Sequence, residues 1–249
     1  EESLAAYHEA ISKGAMVIGI TTGGKLASLL DDHNNDKVLI PAGLQPRAAV
    51  AFSFIPLLYL LEKLKATDDK ILSELDVAIE KIQSVKDVYA MDDEKNPTYK
   101  LAKDIYKTIP VIYGENESTA TIALRWKGQF CENSKMLAYH NELPEMNHNE
   151  IVGWQENPDL LKQISILWIS DKSYNSRNSL RLDSSKDVIA NIPAFQIKVE
   201  LDGDNFTERF IQLLHYGDWV SYWCALLHNI DPSPVVKIDT LKKILSEKS

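Results

Sequence analysis

The sequence predicts an α/β fold with parallel strands. Helix-like and strand-like patterns alternate along the chain, the strand candidates are short apolar runs of the kind buried on both faces, and both halves repeat a strand, a glycine-containing loop and a helix. In chain order, Leu4 to Lys13 is amphipathic at helical spacing, and Gly14 fits its C-terminal cap. Met16 to Ile20 is a short apolar strand that ends at the turn Thr21-Thr22-Gly23-Gly24, with a helix from Lys25 to Asp31. Lys37 to Pro41 is the next strand. Gln45 to Lys65 is a long apolar helix in which Pro56 predicts a kink. A charged helical stretch runs from Thr67 to Tyr89, and the turn-rich segment Asp92 to Pro97 marks a domain boundary.

Beyond that break, Pro97 to Thr108 is helical, Ile109 to Tyr113 a strand, Gly114 to Thr119 a loop, and Thr121 to Asn133 a helix. Ile164 to Ser170 and Phe195 to Leu201 are strands flanking a helix from Arg177 to Ala190. A helix from Phe206 to His228 carries Trp219, Tyr222 and Trp223, an aromatic cluster expected in the core or at a dimer interface, and Lys237 to Leu245 forms a final helix.

The 249 residues, 45% hydrophobic and 25% charged, have ordinary globular composition. A net charge of −9 argues against a broad nucleic-acid or anionic-membrane surface, but not against a small anionic substrate held by a local cluster of donors. Two distant cysteines, Cys131 and Cys224, fit reduced thiols of a cytoplasmic protein rather than a disulfide framework. The apolar stretch from Ala48 to Leu61 is too short for a membrane span. The chain opens at Glu1, without methionine or a signal-like segment, and the first half shows only two clear strands. The expectation is therefore a sequence that begins part-way through a longer protein and lacks preceding strands.

Four places attract a chemical reading. Arg47, in Ile40-Pro-Ala-Gly-Leu-Gln-Pro-Arg, follows a strand and precedes a helix, where a guanidinium can hold a carboxylate, phosphate or enediolate oxygen; a structural salt bridge is the plainer alternative. Glu132 ends an apolar helix, a position where a glutamate is most often merely solvated. His148 lies sixteen residues later, between Asn147 and Asn149 in a polar run, where a surface histidine is the ordinary reading. A carboxylate and an imidazole are the usual groups for moving carbon-bound and oxygen-bound protons. His140 and His148, eight apart, do not make a helical zinc pattern, and no metal or cofactor is expected. The loop from Glu115 to Thr121 offers hydroxyls either to an anion or to the following helix as caps.

Pro41-Ala-Gly-Leu-Gln-Pro-Arg-Ala-Ala, Arg125-Trp-Lys-Gly-Gln with Glu132-Asn-Ser-Lys, Asn147-His-Asn-Glu-Ile-Val-Gly-Trp, and the tail Asp231-Pro-Ser-Pro with Leu241-Lys242 span nearly the whole chain. Together they resemble the bifunctional phosphoglucose/phosphomannose isomerase family, of the sugar isomerase (SIS) fold. The Gln-Pro-Arg and Asn-His-Asn-Glu segments are the specific ones.

The resemblance implies two SIS-type doubly wound parallel-sheet subdomains, the first lacking its N-terminal strands. Residues 1–92 would be the C-terminal part of the first subdomain, and 93–249 the second with its C-terminal helix. It implies a cytoplasmic homodimer with active sites at the interface, and a metal-independent isomerisation of glucose 6-phosphate and mannose 6-phosphate to fructose 6-phosphate. By position, Glu132 looks like the base moving a proton between C1 and C2, and Arg47 like the stabiliser of the enediolate. His148 looks like a ring-opening group contributed by the partner subunit, with Lys242 its helper. Family members carry a phosphate loop just before a helix start that resembles Glu1-Glu2-Ser3, so the chain as given is expected to bind hexose phosphate poorly and to be inactive alone. The family's Thr-Pro before the last helix is not matched cleanly, Ser233 or Val235 standing near it, which weakens the expectation for mannose 6-phosphate. The alternatives are a non-catalytic sugar-phosphate-binding SIS regulator, which would not need Glu132 and His148, and a related aldose–ketose or amino-sugar isomerase.

Overall fold

In the computed structural model, which describes residues 2–248, the chain divides into two compact units, Glu1–Ser73 and Glu74–Ser249. The first holds α1 (Glu2–Ser12), β1 (Ile18–Thr21), α2 (Gly24–Asp32), β2 (Asp36–Leu39) and α3 (Val50–Lys63). β1 and β2 pair in parallel, from Ile18 opposite Asp36 to Thr21 opposite Leu39, with α2 as the crossover that parallel pairing requires. Gly19 makes that packing possible. A Cβ there would stand 2.2 Å from Leu30 Cδ1, so the bare strand lets the fully buried Leu30 close onto it. The Tyr7 hydroxyl ties α1 to α2 by donating to the Leu29 carbonyl at 2.9 Å.

Two expectations for this unit need correction. The first strand starts at Ile18 rather than Met16, whose side chain is 84% exposed. The long helix is in two parts, a 3-10 turn Pro46–Ala48 and then α3, which continues through Pro56.

α4 (Ile71–Tyr89) opens the second unit, starting after the turn at Asp68 rather than at Thr67. It belongs there because the Tyr89 carbonyl accepts from Trp223 Nε1 at 2.9 Å and from Asn96 Nδ2 at 2.7 Å. The same Asn96 caps α5 (Pro97–Ile105), its Oδ1 accepting from the Thr98 amide at 2.9 Å. Then follow β3 (Ile109–Glu115), α6 (Ala120–Glu132), β4 (Tyr139–Leu143), the short α7 (Glu150–Gly153) and α8 (Pro158–Leu161), and β5 (Ile164–Ile169). The chain continues with α9 (Ser176–Val188), β6 (Phe195–Val199), α10 (Phe206–Leu227) and α11 (Val236–Lys248).

The four strands form one sheet in the order β4-β3-β5-β6, every pair parallel. Strand alternation sends Ile112, Leu167 and Ile169 to one face, where they pack with Trp126, Phe130 and Val220 of α6 and α10. Val111, Tyr113, Ile166 and Trp168 go to the other, against Met146, Trp154, Leu182 and Ile189. Both faces are covered, the arrangement that makes parallel strands continuously apolar. β4 lies outside the strands expected from the sequence. Its run Tyr-His-Asn-Glu-Leu is polar because it is an edge strand in which only Leu143 is buried. Among the described residues no helix is long and apolar enough to cross a membrane.

Candidate active site

The motif from Arg125 to Lys135 folds as a docking surface that ends in a carboxylate. In α6, Arg125 donates from one guanidinium nitrogen to both oxygens of Asp218, at 2.7 and 3.0 Å. Gln129 donates to the same carboxylate at 2.6 Å, and Trp126 Nε1 donates to the Leu213 carbonyl at 2.9 Å. All three side chains find their partners on α10. Burial pushes the Asp218 carboxyl above its ordinary pKa, against the opposing pull of Arg125 and Gln129.

After Glu132 the helix stops, and the next three residues are each used. Asn133 donates to Ser221 Oγ at 2.9 Å and Ser134 Oγ to the Ser221 carbonyl at 2.6 Å. Lys135, held at φ 55°, donates from Nζ to the Glu132 carbonyl at 2.7 Å and to the Pro232 carbonyl at 2.9 Å. The motif thus anchors the backbone of Glu132 to α10 and to the segment before α11. Its half-buried side chain faces a cavity of about 530 Å³ lined also by Cys131, Lys135 and Pro234 to Ile238.

His148 is built by the same logic. Asn147 donates to Ser185 Oγ of α9 at 2.7 Å, Asn149 donates to Glu145 at 2.8 Å, and Glu150 accepts from Asn141 at 2.6 Å and from the buried Tyr113 hydroxyl. Burial raises the Tyr113 pKa, and the Glu150 charge raises it further, so the phenol stays a donor. The His148 amide donates to the Glu145 carbonyl at 3.0 Å. The neighbours of His148 are fastened inward and its own side chain is exposed.

Glu132 and His148 of one chain lie toward opposite ends of the parallel strands, before and after β4. α6 returns the chain to the side where the strands start: Thr108 and Ile109, which open β3, line one groove with Ser134 to Leu137. β4 then crosses the sheet in parallel with β3 before His148 is reached. Five strand residues span roughly 16 Å. The two groups are therefore not neighbours within this unit. Lys242 is exposed on α11, the helix whose first turn lines the Glu132 cavity. Arg47 belongs to the first unit, half-buried in the 3-10 turn ahead of α3.

The model of the bacterial phospho-glucose isomerase C-terminal SIS domain matches residues 94–245. A bifunctional phosphoglucose/phosphomannose isomerase from Caldicellulosiruptor bescii is 41% identical over 252 residues, covering 99% of this chain and 73% of that protein. The chain belongs to the bifunctional phosphoglucose/phosphomannose isomerase family. A second family member, from Aquifex aeolicus, is 35% identical over 247 residues, with 99% of this chain and 73% of that protein covered. Among solved structures, a hypothetical protein from Thermus thermophilus superposes with a TM-score of 0.74 at 11% identity, over 98% of this chain and 66% of that one. A glucose-6-phosphate isomerase like protein from the same organism gives 0.56 at 17% identity, over 88% and 73%. These two likenesses show the shared fold.

Membership of the phosphoglucose/phosphomannose isomerase family fits motifs whose inward residues set one outward side chain. Sequence reasoning missed the residues that do the setting from a distance: Asp218 and Ser221 on α10, and Ser185 on α9. The one signal for Asp218 and Ser221 was polarity inside an otherwise apolar stretch of α10, with Asp218 directly before Trp219, whereas Ser185 sits among the polar residues of α9 and carried none.

Proposed function

We propose that this protein interconverts glucose 6-phosphate, and mannose 6-phosphate, with fructose 6-phosphate by proton transfer through a cis-enediol. The observation that carries the reading is the pairing of two fastened motifs, each presenting one acid–base side chain, Glu132 and His148. Ring opening requires proton exchange at O5 and O1, assigned to His148 with Lys242 as its helper. Glu132 then removes the C2 proton and returns it to C1, and Arg47 stabilises the negative oxygen that develops between the two steps. The enediol has lost the C2 stereocentre, so one base serves both epimers.

The placement of Glu132 and His148 toward opposite ends of the strands favours a homodimer in which His148 serves the partner's site. Tyr139 on the edge strand and Val152 just beyond His148, 53% and 71% exposed, support such an interface. In this reading the chain divides at residues 92/93 into two SIS portions and works in the cytoplasm. The family match beginning at 94 supports that border, whereas the compact units divide ahead of α4, at residues 73/74. A coupled assay of the full-length protein, with each aldose phosphate supplied separately, tests the proposal. Fructose 6-phosphate is expected from both, and its formation from neither contradicts the reading.

A further inference from the structure

The sheet order β4-β3-β5-β6 reverses direction between β3 and β5, and open α/β sheets hold ligands beyond the carboxyl ends of strands at that switch point. Glu132 lies toward the amino ends of the strands, so this place is unused by the proton transfer assigned to it. It is nevertheless a crevice of about 340 Å³, at the small end of the roughly 300–1,000 Å³ usual for ligand sites. Its walls are the β3–α6 loop (Glu115, Asn116, Glu117), Tyr174 and the α9 residues Asn178 and Arg181, and Leu143-Pro144.

The loop is shaped for this position. It turns back so tightly that a Cβ on Gly114 would sit 2.5 Å from the Thr119 carbonyl oxygen. Thr119 Oγ1 does not cap α6. It donates to the Ile169 carbonyl at 3.1 Å and accepts from the Glu115 amide at 3.0 Å, locking the ends of β3 and β5 together. The Asn116 amide donates to the Leu143 carbonyl at 3.0 Å, closing the third side. Within the crevice the Glu115 carboxylate accepts from Asn178 and, at 3.2 Å, from Ser118 Oγ. Arg181 is half-buried, and its positive charge acts on the Glu115 carboxylate within the same crevice.

We propose that this switch-point crevice is a second small-molecule site, for a neutral polyhydroxylated ligand of monosaccharide size. Two carboxylates against one guanidinium leave the lining net negative, which disfavours phosphate. Carboxylate and amide oxygens accept from hydroxyl groups, and the planar guanidinium fork donates to a pair of adjacent oxygens. Because Leu143-Pro144 begins the segment that carries His148, the ligand would rest against that segment.

The test is a ligand-observed NMR titration of the full-length protein with D-glucose, D-mannose and D-mannitol as probes, in the presence of saturating hexose 6-phosphates to occupy the isomerase site. At least one probe is expected to bind, with its affinity lowered about tenfold in Arg181→Ala and in Asn178→Ala. Inorganic phosphate is expected not to compete, and turnover without the probe is expected to stay unchanged in both variants. The proposal is overturned if no probe binds, if phosphate displaces the bound probe, or if both variants bind the probe as tightly as the parent.

Discussion

The indole of Trp126 lies directly on the α-carbon of Gly217, so that a methyl group there would stand 2.1 Å from Nε1. The contact lets α6 and α10 approach closely enough for Trp126 Nε1 to reach the Leu213 carbonyl, and α6 is the helix that ends in Glu132. Alanine is the better helix former by about 1 kcal/mol, but overpacking a buried contact costs about 1–3 kcal/mol. Gly217→Ala is therefore expected to lower unfolding stability by up to about 2 kcal/mol in urea titration. A more stable variant would show that the helices have room to part.

Lys135 holds the carbonyl of Glu132 from the wall of the same cavity, so its removal is expected to misplace the proposed base. Lys135→Gly, chosen because glycine accepts the positive φ without strain, should reduce kcat about tenfold or more with little change in KM. An unchanged kcat would show that the tether does not position Glu132.

The separation of Glu132 and His148 within one chain predicts complementation. In the proposed homodimer, Glu132→Gln and His148→Gln variants should each be inactive alone, whereas their co-expressed mixture should recover roughly a quarter of parental activity, because half the sites in a hybrid dimer have both groups intact. A mixture as inactive as its components would place both groups in the same chain's site.

Arg47→Ala is expected to lower kcat by about 10²–10³-fold, the usual loss when a donor to a developing oxyanion is removed. Steady-state kinetics giving a near-normal kcat and only a raised KM would reassign Arg47 to ground-state binding.

Acid stability is expected to depend on Asp171. Burial alone would raise its pKa, but the hydrogen-bonded Arg209, at 2.7 and 2.9 Å, and Ser173 outweigh that and hold it below the ordinary carboxylate range. A depressed folded pKa means the stabilisation is fully present above the unfolded value of about 3.9 and is lost as pH falls through the folded value. Asp171→Asn should flatten the fall in stability below about pH 4. An acid-unfolding curve that keeps the parent's slope would show that other carboxylates control it.

What could be read from the sequence follows from burial. β3 and β5 were legible because both faces of each strand are covered and their apolar runs are unbroken. β4 was not, because as an edge strand it keeps four of its five residues at least partly accessible and carries no apolar period. Helix ends were legible where a cap is local, as at Gly14. The start of α4 shifted because the turn at Asp68 closes on the Ile71 amide. Glu132 and His148 drew notice as a carboxylate and an imidazole, but each alone reads as an ordinary polar residue, and only the resemblance assigned them roles. Asp218 and Ser221 escaped because their roles depend on partners about ninety residues away, Arg125 and Asn133, a relation that no local pattern encodes.

Glu132 is proposed to move the carbon-bound proton, and isotope exchange follows that proton. In deuterated water, NMR of the hexose 6-phosphates should show deuterium entering C1 and C2 with the full-length parent. With Glu132→Gln the incorporation should fall by about 10²–10⁴-fold while hexose 6-phosphate still binds. Exchange by Glu132→Gln at a rate close to the parent's would contradict the account.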